Sequence, residues 1–145
     1  MLYVNNELDS TVTAFQWGAA DGRLTQSQVV TTIPGGHQGR NTTAEIAASP
    51  CGRFLHVSNR GQDSVVLFRV APDTGHLTFA GATPTGGTRP RFFALDPAAK
   101  LLCAANQDSD DITGFHVDPA TGALRPMGVV LRVGSPSAIS FVPAS

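Results

Sequence analysis

One position changes its chemistry from copy to copy along an otherwise repetitive chain. Directly after Asn6, Asn59 and Asn106 stand Glu7, Arg60 and Gln107: a carboxylate, a guanidinium and an amide at one station. Where copies agree, the scaffold needs the residue. Where they differ, the residue is free to serve a ligand. A carboxylate can accept a proton or orient a water, and a guanidinium can clamp an anion. Glu7 and Arg60 are therefore the expected catalytic pair. Three further residues are expected to bind substrate. His37 and Arg40 lie in the long loop PGGHQGRNTT, and Glu45 is a lone carboxylate in the apolar stretch AEIAAS. A buried carboxylate is costly unless paired, so Glu45 reads as a partner of Arg60 or Arg40 or as a catalytic group. The recurring asparagines, with Asp63 and Asp110, read as turn residues that bond their own backbone.

Other chemistries find little support. His37, His56, His76 and His116 are scattered without metal-ligand spacing. Gly35-Gly36 and Gly86-Gly87 lack the strand–loop–helix setting of a phosphate loop, and no GxSxG elbow is present. No cofactor is expected. A charged fraction of 14% and a net charge of −1 leave no basic surplus for a nucleic acid. No apolar run approaches the roughly 20 residues of a membrane span, and MLYVNNELD has no export-signal pattern. Cys51 and Cys103, without a CxxC, read as unpaired thiols of a reducing compartment, so the expected location is cytoplasmic.

The elements that must position these residues follow from the repeat. FLHVSNRGQDSVVLFRVAPDTGHL (Phe54–Leu77) recurs 47 residues later as LLCAANQDSDDITGFHVDPATGAL, and earlier as MLYVNNELDSTVTAFQWGAADGRL. Each copy predicts strand, polar turn, strand, tight turn and a third strand, preceded by a short strand of small apolar residues. Four antiparallel strands in about 47 residues have the dimensions of one β-propeller blade. The expected fold is all-β, a partial propeller of about three four-stranded blades in a single domain, 1–145. An incomplete blade spans 1–33, whole blades span 44–83 and 91–133, and a lone innermost strand, Ser137–Val142, follows. Rings usually need four to eight blades, so the chain is expected to be a piece of a larger propeller, completed by upstream blades or by a homo-oligomer. Asn6–Ser10, Pro34–Thr43, Asn59–Ser64, Pro84–Pro90 and Asn106–Asp111 form the longer, polar loops at one end, where function is expected. The opposite end carries economical turns such as Pro50-Cys51-Gly52.

NELDSTVTAF, NTTAEIAASPCGRFLHVSNRGQDSVVLF, TGGTRPRFFALDP and LLCAANQDSDDITGF resemble the C-terminal part of the lactonase family of seven-bladed propellers. That family includes bacterial propeller-type 6-phosphogluconolactonases and fungal carboxy-muconate lactonizing enzymes. The resemblance implies metal-free hydrolysis of a small anionic sugar lactone in the pentose phosphate route, with the Glu of NEL and the Arg of SNRG, here Glu7 and Arg60, lining a central pocket. The family pocket also draws a His and a further Arg from blades that would precede Met1, so the chain alone is expected to turn over little or no lactone. Cys51 stands where the family commonly has Asp, a turn change expected to bear little on chemistry. The alternatives are a non-catalytic interaction propeller and a muconate cycloisomerase.

Overall fold

The structure, a computed structural model, describes residues 1–142. It is all-β: eleven strands and no helix among the described residues. β1 (Leu2–Asn6), β2 (Thr11–Trp17) and β3 (Leu24–Thr31) form the first sheet, in that order. β4 (Thr42–Ala48), β5 (Phe54–Arg60), β6 (Ser64–Val70) and β7 (Leu77–Pro84) form the second. β8 (Pro90–Leu95), β9 (Leu101–Asn106), β10 (Asp111–Val117) and β11 (Leu124–Arg132) form the third. Each sheet is an antiparallel meander, here blades 1, 2 and 3, and together they make a partial propeller.

The repeat in sequence is a repeat in geometry. Register slips by one residue just before Phe15, Phe68 and Phe115, a bulge that bends the last strand of each blade at one place. The polar turns end on Ser10, Asp63 and Asp110, with φ of 54, 53 and 55°. This left-handed conformation is one that short polar residues tolerate. The strand pair β5 and β6 is buried on both faces because it lies between two neighbours. On one side Val12, Leu55, Val57, Val66, Phe68 and Leu77 join blades 1 and 2. On the other, Val65, Phe93, Leu102, Ala104 and Phe115 join blades 2 and 3. Burying each large side chain contributes about 1.5–3 kcal/mol.

Each interface also carries a latch at the tight-turn end. Tyr3 Oη donates to the Gly75 carbonyl at 2.7 Å, joining blades 1 and 2. His56, one blade on, reaches the Gly122 carbonyl through Nε2 at 2.9 Å. A carbonyl only accepts, so this imidazole carries its proton on Nε2.

Two differences from expectation concern strand limits. Asn59 and Arg60 belong to β5 rather than to the turn, because β4 begins at Thr42 and pairs with them: Thr42 lies opposite Arg60 and Thr43 opposite Asn59. Ser137–Val142, expected as an innermost strand, forms no strand. Each sheet is paired only within itself, and among the described residues no edge strand pairs with this segment. Its approach is tied down instead by Ser135 N–H on Asp110 Oδ1 at 2.7 Å.

Candidate active site

Glu7 and Arg60 meet. Glu7 follows the last residue of β1, and its carbonyl accepts Thr43 N–H at 3.1 Å, which fixes it against blade 2. Arg60 closes β5. Its Nη2 donates to Glu7 Oε1 at 2.5 Å and to the Thr43 carbonyl at 3.1 Å. The guanidinium is only 9% exposed while the carboxylate is 60% exposed, so the cation is fixed and the anion faces solvent. The hydrogen bond from Arg60, then its charge, holds the Glu7 carboxyl below the usual range, with Arg91 and Arg40 pulling the same way. Arg60 Nε is buried without a partner.

The pair borders a cavity of about 290 Å³ at the polar end of blades 1 and 2, and Arg40, Gly61, Asp63 and Arg89 also line it. Arg40 is brought there by a buried polar network. Asn41 Nδ2 donates to Ser10 Oγ at 2.9 Å and to Asn59 Oδ1 at 3.0 Å, and Thr32 Oγ1 donates to the same Asn59 oxygen at 2.8 Å. Ser10 Oγ returns a bond to the Asn41 carbonyl at 3.1 Å. Gly61 completes the seat. Its φ is 122°, and a Cβ there would collide with the Arg40 carbonyl oxygen, so the loop lies directly on glycine backbone.

Of the five residues expected from sequence, the structure brings three together, Glu7, Arg40 and Arg60. His37 is half-buried in the long loop and does not line this cavity. Glu45 does not line it either, and pairs with neither Arg60 nor Arg40 among the described residues. It falls in the bulge between Thr43 and Ile46, where its Oε1 accepts Ile46 N–H at 3.0 Å. Burial pushes its carboxyl up, against that bond and the charge of Arg91. Arg89 is the cavity residue sequence reasoning missed. It has φ 56°, pairs with Asp108 at 3.3 Å, and donates its N–H to Asp63 Oδ1 at 2.9 Å. Its signal was its place in PTGGTRP, a polar-end loop. Asn6 and Asn106 also differ from expectation. They bond Thr11 and Thr13, and Asp111 and Thr113, rather than their own backbone, because each stands opposite the first residue of the next strand.

The profile of the family described as Lactonase, 7-bladed beta-propeller, matches residues 1–141. The chain belongs to this family. It is 39% identical over 94 residues to a 6-phosphogluconolactonase of Pectobacterium carotovorum, an alignment covering 65% of this chain and 28% of that protein. The 6-phosphogluconolactonase of Bacillus subtilis is 35% identical over 94 residues, 65% of this chain and 27% of that one. The structure of Pseudomonas aeruginosa periplasmic gluconolactonase, PpgL, superposes with a TM-score of 0.90 at 38% identity, covering 97% of this chain and 39% of that one. The chain thus spans under a third of the sequence relatives' length and about two fifths of that solved lactonase. Among the described residues no helix is long and apolar enough to cross a membrane, and no cluster of His, Cys, Asp and Glu could hold a metal.

Proposed function

We propose that the Glu7–Arg60 cavity binds a small anionic sugar lactone and contributes to its hydrolysis. The observation that carries this reading is the direct contact of the two residues across the blade 1–blade 2 interface, at the rim of a cavity that Arg40 and Arg89 also line. The names of the relatives point the same way.

Lactone hydrolysis requires a polarised carbonyl, a placed water and an anchored substrate. Arg40 and Arg89 suit the anchor, through charge-assisted bonds to an anion. The Arg60 guanidinium, fixed at the cavity wall, suits polarisation of the ring carbonyl. Glu7 stays ionised because Arg60 holds its proton affinity down, and the same effect makes it a weak base. Its role is therefore to accept a bond from the attacking water and orient it rather than to remove its proton in a free step. The two free thiols suit a reducing compartment, and the proposed location is cytoplasmic; the Pseudomonas relative is described as periplasmic.

The test separates binding from turnover. Binding of 6-phosphogluconate and of gluconate to the chain is measured by calorimetry, and lactone hydrolysis is followed in parallel. Arg60→Ala is expected to weaken binding about tenfold or more, the loss of a charged hydrogen bond of about 1.5–3 kcal/mol. Glu7→Gln is expected to retain binding and to remove whatever hydrolysis the chain supports. Wild-type affinity in Arg60→Ala, or undiminished turnover in both variants, would overturn the assignment.

A further inference from the structure

At the end of the blades opposite Glu7 lies a second cavity of about 220 Å³, between blades 2 and 3. Its rim is made by three tight turns, and one of them carries Cys51. The turn is Ser49-Pro50-Cys51-Gly52, closed by Gly52 N–H on the Ser49 carbonyl at 2.9 Å. Ser49 Oγ accepts Phe54 N–H at 3.1 Å and stands 3.3 Å from Cys51 Sγ. A hydroxyl that already accepts has its own proton to give, so it donates to the sulfur. Arg53 sits beside the thiol, its guanidinium stacked 5.2 Å over the Phe54 ring and its Nη2 on the Pro119 carbonyl at 2.9 Å. These two contacts fix a cation at the mouth. The Ser49 hydroxyl, the Arg53 N–H and the Arg53 guanidinium bring the thiol down to about 7.

A second feature of the same wall points to a ligand. His56 borders the cavity, is 0% exposed, and spends its Nε2 proton on Gly122. Its Nδ1 is left as a buried acceptor without a partner. The cavity thus offers a nucleophilic sulfur, an apolar lining from Phe54, Leu95 and Val117, a fixed cation and an unfilled acceptor. Asp118 is the carboxylate on its rim. Cys103, the other thiol, is half-buried and pushed up by burial, then by Asp96, which makes it an internal control.

We propose that Cys51 is a modification site for small peptide-like disulfides that carry a carboxylate. The Cys51 thiolate attacks one sulfur of the disulfide. A new S–S bond forms to Cys51, the old S–S bond breaks, and the departing half leaves as its thiolate, with no net oxidant beyond the disulfide itself. The carboxylate meets Arg53, and an N–H of the ligand meets His56 Nδ1.

The reduced full chain is mixed with glutathione disulfide at a series of pH values, and adducts are mapped and timed by mass spectrometry. One adduct is expected, on Cys51, with a rate profile whose midpoint lies near 7. In Arg53→Ala the midpoint rises only part of the way toward about 8.5, because the Ser49 hydroxyl and the backbone N–H of residue 53 remain. The smaller thiolate fraction at neutral pH is partly offset by stronger nucleophilicity, so Arg53→Ala reacts up to about threefold more slowly between about pH 7 and 6. Cys51→Ser takes no adduct and Cys103→Ser behaves as wild type. Neutral 2-hydroxyethyl disulfide is expected to react more slowly than glutathione disulfide with wild type, and the gap to close in Arg53→Ala. Ser49→Ala, a milder change, raises the midpoint as well, so a poorly folded Arg53 variant leaves the test intact. Equal labelling of Cys103, a wild-type midpoint near 8.5, or equal rates for the charged and neutral disulfides would overturn the proposal.

Discussion

The two blade interfaces are built from equivalent stations and differ in what those stations hold. Between blades 1 and 2 the polar end carries Glu7 on Arg60, and the tight-turn end carries Tyr3 on Gly75. Between blades 2 and 3 the first of these stations pairs nothing across: Gln107 makes only a backbone bond, its N–H on the Arg89 carbonyl at 3.0 Å. The second holds His56 on Gly122, and the cavity with Cys51 opens beside it. The apolar core is shared in kind, with Phe68 at one interface and Phe115 at the other. The strands and bulges set a uniform frame, and the side chains of interest stand where the copies differ. The Glu7–Arg60 cavity and Cys51 lie at opposite ends of the sheets.

The largest effect that sharpens this contrast comes from the paired phenylalanines. Phe68→Ala and Phe115→Ala should each cost about 3–5 kcal/mol in urea unfolding, a large share of a domain's stability. Only Phe68→Ala should also abolish binding of 6-phosphogluconate, because it loosens the interface that holds Glu7 against Arg60. Equal loss of binding in both would show that the interfaces are not separable. Next is Gly61→Ala. Its positive φ alone costs about 1–3 kcal/mol, and the collision with Arg40 should displace the cavity loop, so calorimetry should show binding falling more than stability.

The latches should separate by pH. Burial holds His56 below its ordinary value, against the Gly122 bond, so the folded chain binds that proton less readily than the unfolded chain. The stability it contributes is complete above about pH 6.5, the unfolded value, and is lost as pH falls below it. Tyr3 behaves oppositely, because burial raises its hydroxyl and stability at that latch is lost only as pH climbs past about 10. Glu7 enters later on the acid side. With its carboxyl held down, its contribution is complete above the unfolded value of about 4.5 and disappears as pH falls through the folded one. Urea midpoints across pH should show the His56 slope, and His56→Gln should flatten it between about pH 6.5 and 5 while leaving the alkaline side alone. The smallest effect is Arg89→Gln. The Arg89–Asp108 pair is half-exposed on both sides, so stability should move by less than about 1 kcal/mol. Anion affinity should still fall measurably, since the cavity loses a cation.

The blade repeat was legible because its punctuation is local. Gly75 and Gly122 mark the same turn, and the Asn stations mark the same strand end. The meeting of Glu7 and Arg60 was legible for the same reason, since equal stations in adjacent blades share a rim. What escaped the sequence depends on neighbours across a ladder or across blades. Arg60 was read as a loop residue because nothing in SNRG shows that Thr42 extends β4 to meet it. Glu45 reads from the sequence as a cation's partner or a catalytic group, but a bulge turns it onto its own neighbour's N–H. The terminal apolar segment has the composition of a strand but pairs with no sheet among the described residues. Cys51 looked like a neutral exchange within a turn. Its environment comes from Arg53 and His56 of its own blade, fixed in place by the Pro119 and Gly122 carbonyls of the third.

Sheets that touch only those beside them loosen one interface at a time. Glu7 rides on the first sheet and Arg60 on the second. Movement of the first sheet would therefore open the Glu7–Arg60 cavity while Cys51, seated between the other two sheets, kept its surroundings.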